Sequence, residues 1–211
     1  MDIREFAHEV HQNAVEHGWW ESNREIPEII ALIHSEWSEA LEEYRAGRPM
    51  VWYNCNEIST DLNPCDPQDE GDCLNYACRE TCEHRSKKPE GIAVELIDGC
   101  IRILDYLGKE GLTIRGIETF EELMKTAPQE VYKVDLPNLV TNLHIKTSYA
   151  YVFIKGAKSE QHLQRGYAAM FEAISVAFCW IRENGYDPAE IMKTKHEYNR
   201  TRPYKHGGKV C

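Results

Sequence analysis

The chain has 211 residues, 42% of them hydrophobic, enough for one or two domains with a buried core. Its formal charge of −11 disfavours a nucleic acid polymer as partner, because a polymer's phosphates would be repelled over a wide surface. No run is long and apolar enough to span a membrane, and "MDIREFAHEVHQNAVEHGWW" lacks the apolar core and cleavage site of a secretory leader, so the expectation is a soluble cytoplasmic protein with no membrane partner.

Helical signals dominate in chain order, and no run alternates at the period of a strand, so the predicted fold class is all-α. Asp2 can cap a first helix that ends at Gly18, and Pro27 in a first turn with Gly47 beyond the end predicts a second over residues 27–46. Residues 50–88 then read as loop. That segment holds five of the eight cysteines, Cys55, Cys65, Cys73, Cys78 and Cys82, followed by His84. A loop of this length calls for a staple, and in a reducing compartment the candidates are a structural zinc ion, free or redox-active thiols, or an iron-sulfur cluster. A third helix is predicted over 91–109, stopping at Gly111. Others follow over 114–125, 136–154, 160–184 and 188–201, the last with Asp187 as N-cap and Glu190 placed for a capping box.

An internal repeat runs through this order. "IPEIIALIHSEWSEAL" (26–41) aligns with "LPNLVTNLHIKTSYAY" (136–151), and "ILDYLGKEGL" (103–112) with "AFCWIRENGY" (177–186). The repeat predicts a first unit over 1–130, with the cysteine segment inserted, and a degenerate second unit over 131–211.

Two helices carry paired carboxylates three residues apart, Glu36 with Glu39 and Glu95 with Asp98. Each pair lies on one side of its helix, so antiparallel packing would bring four together. Such a cluster needs a cation, and magnesium is the natural one because it takes oxygen ligands and shares its sphere with phosphates. Two solvated helix faces are the alternative, and Arg102 and Asp105 on the same side of the third helix keep that alternative open.

With its flanks, "HSEWSEALEEYRAG", "KPEGIAVELIDGCIRILDY" and the tail "KHEYNRTRPYKHGGK", the chain resembles the MazG-like all-α nucleoside triphosphate pyrophosphohydrolases. The resemblance covers about 5–47, 89–112 and 187–209. It implies that Glu36, Glu39, Glu95 and Asp98 are catalytic ligands of magnesium, or of manganese in its place. It further implies hydrolysis of a nucleoside triphosphate, ribo or deoxy, to monophosphate and pyrophosphate, with His11 and Trp20 at the base and Trp19 as an equal rival for stacking. The cysteine insertion and the second repeat depart from the family pattern.

The second repeat has Lys146 and Tyr149 where the first has Glu36 and Glu39, and Ala169 and Glu172 where the first has Glu95 and Asp98, so it cannot build the same metal site. Instead it ends in a basic segment. From Lys193 to Lys209 six Lys or Arg face one Glu, a local charge of +5. Lys195, Asn199 and Arg202 on one helical stripe are therefore expected to clamp phosphate, with Tyr204, His206 and Lys209 closing over the nucleotide. The whole predicts a pseudo-dimer in one chain, either monomeric or further assembled. A phosphoribosyl-ATP pyrophosphohydrolase-like enzyme and a non-catalytic zinc-binding scaffold are the competing readings.

Overall fold

The structure is a computed structural model that describes residues 2–54, 72–73, 88–111, 117–127 and 133–208. It is mostly helical. The helices are α1 (Ile3–Glu16), α2 (Ile26–Arg45), α3 (Ile92–Glu110), α4 (Phe120–Met124), α5 (Leu136–Lys155), α6 (Glu160–Glu183), α7 (Pro188–Thr201) and α8 (Lys205–Gly208). Among the described residues no helix is long and apolar enough to cross a membrane.

The helix ends follow the local chemistry. The Asp2 carboxylate accepts the Arg4 and Glu5 N–H groups, and Gly111 closes α3 at φ 64°, a left-handed conformation that glycine adopts without strain. Asp187 caps α7 through the Ala189 N–H at 2.9 Å, so the bond falls one residue short of the expected capping box. The box forms instead at α4. There Thr119 and Glu122 exchange bonds with each other's backbone, and the helix starts six residues later than 114.

One departure from the all-helical expectation is a small antiparallel sheet of β1 (Trp52–Asn54), β2 (Asp72–Cys73) and β3 (Lys88–Glu90), ordered β2-β1-β3. Tyr53 pairs with Cys73 on one side and Pro89 on the other. Strands of two or three residues are too short to show alternation, which is why the sequence hides them. Pro89 suits an edge strand, where its missing N–H costs no ladder bond. Cys55, Cys65, Cys78, Cys82 and His84 lie outside the described residues, and only the backbone of Cys73 lies within them.

The core centres on α3, where Leu96, Ile97, Cys100, Ile103, Leu104 and Leu107 are all buried. Two glycines set how closely its neighbours approach. A Cβ on Gly99 would lie 2.3 Å from the Trp37 ring, and one on Gly108 would lie 2.3 Å from the Ala7 carbonyl oxygen. Mid-helix glycine costs about 1 kcal/mol against alanine. Here it lets α2 and α1 press directly onto the α3 backbone.

On its other side α2 meets α5. The His34 and His144 rings stack, with their Nδ1 atoms 2.6 Å apart, and the Trp37 indole donates to Thr147 Oγ1 at 2.9 Å. Helix α6 packs along α5, α4 packs on α6, and α7 returns to pack on α3. Because α3 receives both α1 and α7, the last long helix joins the first three.

Candidate functional site

The order of contacts makes α2 and α3 antiparallel: Trp37 meets Gly99, Glu36 meets Arg102, and Ile29 lies near Asp105 and Tyr106. Both carboxylate pairs therefore face one pocket of about 190 Å³ between α1, α2, α3 and α7. Oxygens of Glu36, Glu39 and Glu95 all lie within 4.8 Å of one another. Glu36 and Glu95 are each only 5% exposed, whereas Glu39 is exposed.

Such crowding is electrostatically costly. At 4.8 Å and an effective dielectric near 20, each ionised pair repels by about 3 kcal/mol. Burial, reinforced by the Asp98 charge and only partly opposed by Lys195, pushes the Glu95 carboxyl up to about 9. Burial raises Glu36 as well, although the Arg102 guanidinium beside it pulls the other way.

Asp98 lines the same pocket but is engaged differently. Its Oδ2 receives Lys195 Nζ at 2.8 Å. Lys195 is 2% exposed, and its ammonium also donates to the Pro89 carbonyl at 3.2 Å, so β3 helps to place it. Burial disfavours the Lys195 charge, but Asp98 and Glu95 outweigh burial and raise its pKa. Lys195 thus reaches the carboxylates from α7, as the repeat comparison expected, and it is held there as the partner of Asp98.

Asn199 and Arg202 line the pocket beside it, and the Asn199 Oδ1 is buried without a hydrogen-bond partner among the described residues. Tyr204 lies elsewhere. It is 53% exposed, covers Gly18 and hydrogen-bonds Glu21, while Lys205 pairs with Glu21 at 3.0 Å. The Lys205 N–H donates to the His17 carbonyl, and His17 Nε2 lies 2.9 Å from the Arg202 carbonyl. These bonds dock the tail on the turn after α1, and Tyr204 is not among the residues that line the pocket. The side chain of His206, and Lys209 altogether, lie outside the described residues.

His11 and Trp20 do come together, but not on the wall of the main pocket. His11 Nδ1 lies 2.8 Å from Asp105 Oδ1, and the Trp20 indole donates to both Asp105 oxygens at 2.9 and 3.1 Å. Trp19, the rival for stacking, lines the pocket itself. The sequence reading missed Arg24, Asn13, His17, Lys88 and His196 as pocket residues. For Lys88 a signal existed in its place just before the Glu95 helix; the others reach the pocket through packing.

The oxygens that Glu36, Glu39 and Glu95 bring together are hard donors, with Arg102 beside Glu36 and Lys195 taken by Asp98. That set fits a divalent cation of the magnesium type. Compared with models of protein families, with curated proteins and with solved structures, the chain matches none.

Proposed function

We propose that the chain is a magnesium-dependent nucleotide pyrophosphohydrolase that cleaves a nucleoside triphosphate, ribo or deoxy, to the monophosphate and pyrophosphate in the cytoplasm. The observation that carries this is the convergence of Glu36, Glu39 and Glu95 within 4.8 Å, in a pocket that also presents Arg202 and Asn199. Glu36, Glu39 and Glu95 would hold the ion with Asp98 beside them. When bound, it supplies charge neutralisation on the phosphates and a more acidic water.

The chain's own residues account for the rest. Arg202 and Asn199 grip phosphate oxygens from α7, and Lys195 fixes the Asp98 carboxylate from beneath. Water adds to the α-phosphorus while the bridging oxygen leaves with pyrophosphate. Glu39, the exposed member of the cluster, meets water entering from solvent and accepts its proton.

The reading includes an internal duplication, supported by residues one repeat apart that touch. His34 meets His144 and Trp37 meets Thr147, each pair 110 positions apart, as near-axis residues do in a two-fold dimer. In the same sense α7 of the second unit packs on α3, and α4 of the first packs on α6. One functional pocket is then built from both units.

The test is a panel of triphosphates with magnesium, reading pyrophosphate against orthophosphate. Equimolar monophosphate and pyrophosphate are expected. Release of orthophosphate alone, or no turnover on any triphosphate, would refute the proposal.

A further inference from the structure

The proposed reaction leaves Arg24 unexplained. This residue precedes α2, is 8% exposed, and lines both the carboxylate pocket and a small cavity shared with Trp20, Ile29 and Asp105. Its Nε donates to Glu28 at 2.8 Å, and its Cζ lies 5.9 and 5.8 Å from the ring centroids of Trp19 and Trp20. The Nη2 atom is buried with no hydrogen-bond partner among the described residues. A buried charged donor left unpaired is among the costlier features a fold can carry, so a ligand acceptor is its natural complement.

The length of the pocket indicates which part of a ligand arrives there. From Glu95 to Asp105 is ten residues of α3, ~15 Å at the helical rise, close to the span of a nucleoside triphosphate. With the phosphates at the carboxylate end, the base reaches Trp19, Arg24 and Asp105. The charges agree. Asp105 disfavours phosphate at this end, and Glu28 already balances the Arg24 cation, which makes Arg24 a weak anion clamp and a good donor to a neutral oxygen.

We propose that Arg24 reads an exocyclic carbonyl oxygen of the nucleobase, so the pocket selects uracil, thymine, cytosine, guanine or hypoxanthine over adenine, which has no carbonyl. This rests on the nucleotide reading of the pocket and not on the hydrolytic step.

The experiment is calorimetric titration of the full chain, with magnesium, by the monophosphates of inosine, uridine and adenosine. Inosine and uridine monophosphate are expected to bind at least about tenfold more tightly than adenosine monophosphate, the lower range for a charge-assisted hydrogen bond. Arg24→Met is expected to bring inosine monophosphate down to the adenosine level and leave adenosine binding unchanged. Equal affinities in the unsubstituted protein overturn the inference without any variant, and so does binding by none of the three. A preference that survives Arg24→Met overturns it too. Hydrolysis is scored separately. An Arg24-dependent preference without triphosphate cleavage supports the inference and removes the proposed reaction, whereas cleavage of ATP and ITP at equal kcat/KM removes the inference and leaves the reaction.

Discussion

Replacing Lys195 by Met keeps most of the side-chain volume and removes the charge, which isolates the buried ion pair. At 2.8 Å and an effective dielectric near 20, the Lys195–Asp98 attraction is about 6 kcal/mol. Desolvation of an ammonium that is 2% exposed offsets part of this, and the substitution leaves Asp98 facing Glu95 uncompensated. Breaking one side of such a pair costs about 3–5 kcal/mol. Urea denaturation of the metal-free protein should therefore show a lower midpoint with an unchanged slope. The double variant Lys195→Met with Asp98→Asn should recover much of the loss, because the orphaned charge is gone. A single variant within about 0.5 kcal/mol of the parent, or a double variant no better than the sum of the singles, would mean that the two charges are not coupled. In turnover, Lys195→Ala should lose about ten- to a hundredfold in kcat/KM while still binding magnesium.

Glu39→Gln should abolish turnover and leave the circular dichroism spectrum and unfolding midpoint near those of the parent, since Glu39 is exposed; near-normal activity would remove it from the site. Gly99→Ala should destabilise the fold by about 1–3 kcal/mol through overpacking against Trp37, and a neutral result in thermal denaturation would mean that α2 can shift freely. The third concerns pH. Glu95 keeps its proton in the folded state up to about 9, against 4.5 for an ordinary glutamate, so its contribution to stability is full below 4.5 and is lost as pH rises toward 9. The Tm of metal-free protein should fall across that window and magnesium should flatten the decline; a Tm that rises from pH 5 to 9 would contradict the burial argument.

What the sequence made legible were features carried by a single helix. Asp2, Pro27, Gly111 and Asp187 mark helix ends because capping is local, and the paired spacing of Glu36, Glu39, Glu95 and Asp98 places each pair on one side of a helix before any packing is known. The meeting of His34 with His144, the two histidines that the repeat aligns, was not anticipated from the sequence. Contacts between distant segments were not legible. Nothing in the spacing shows that Lys195 would be consumed by Asp98, that Arg102 would take Glu36, or that Arg24 would turn into the pocket. The docking of Tyr204 was not legible for the same reason, because it depends on the bare backbone of Gly18.

Lys195 follows its partner Asp98 by 97 positions, and this separation has a kinetic consequence. A chain emerging from the ribosome can form α2 and α3 long before α7 exists, and until then the acidic face stays open to water. Closing so long a loop is entropically slow, so the pocket should be among the last regions to assemble. The reverse order applies under stress. Local opening of α7 would expose the carboxylates while the core around α3 stayed folded, so hydrogen exchange should register amides of α7 well ahead of those at Leu96 to Leu104.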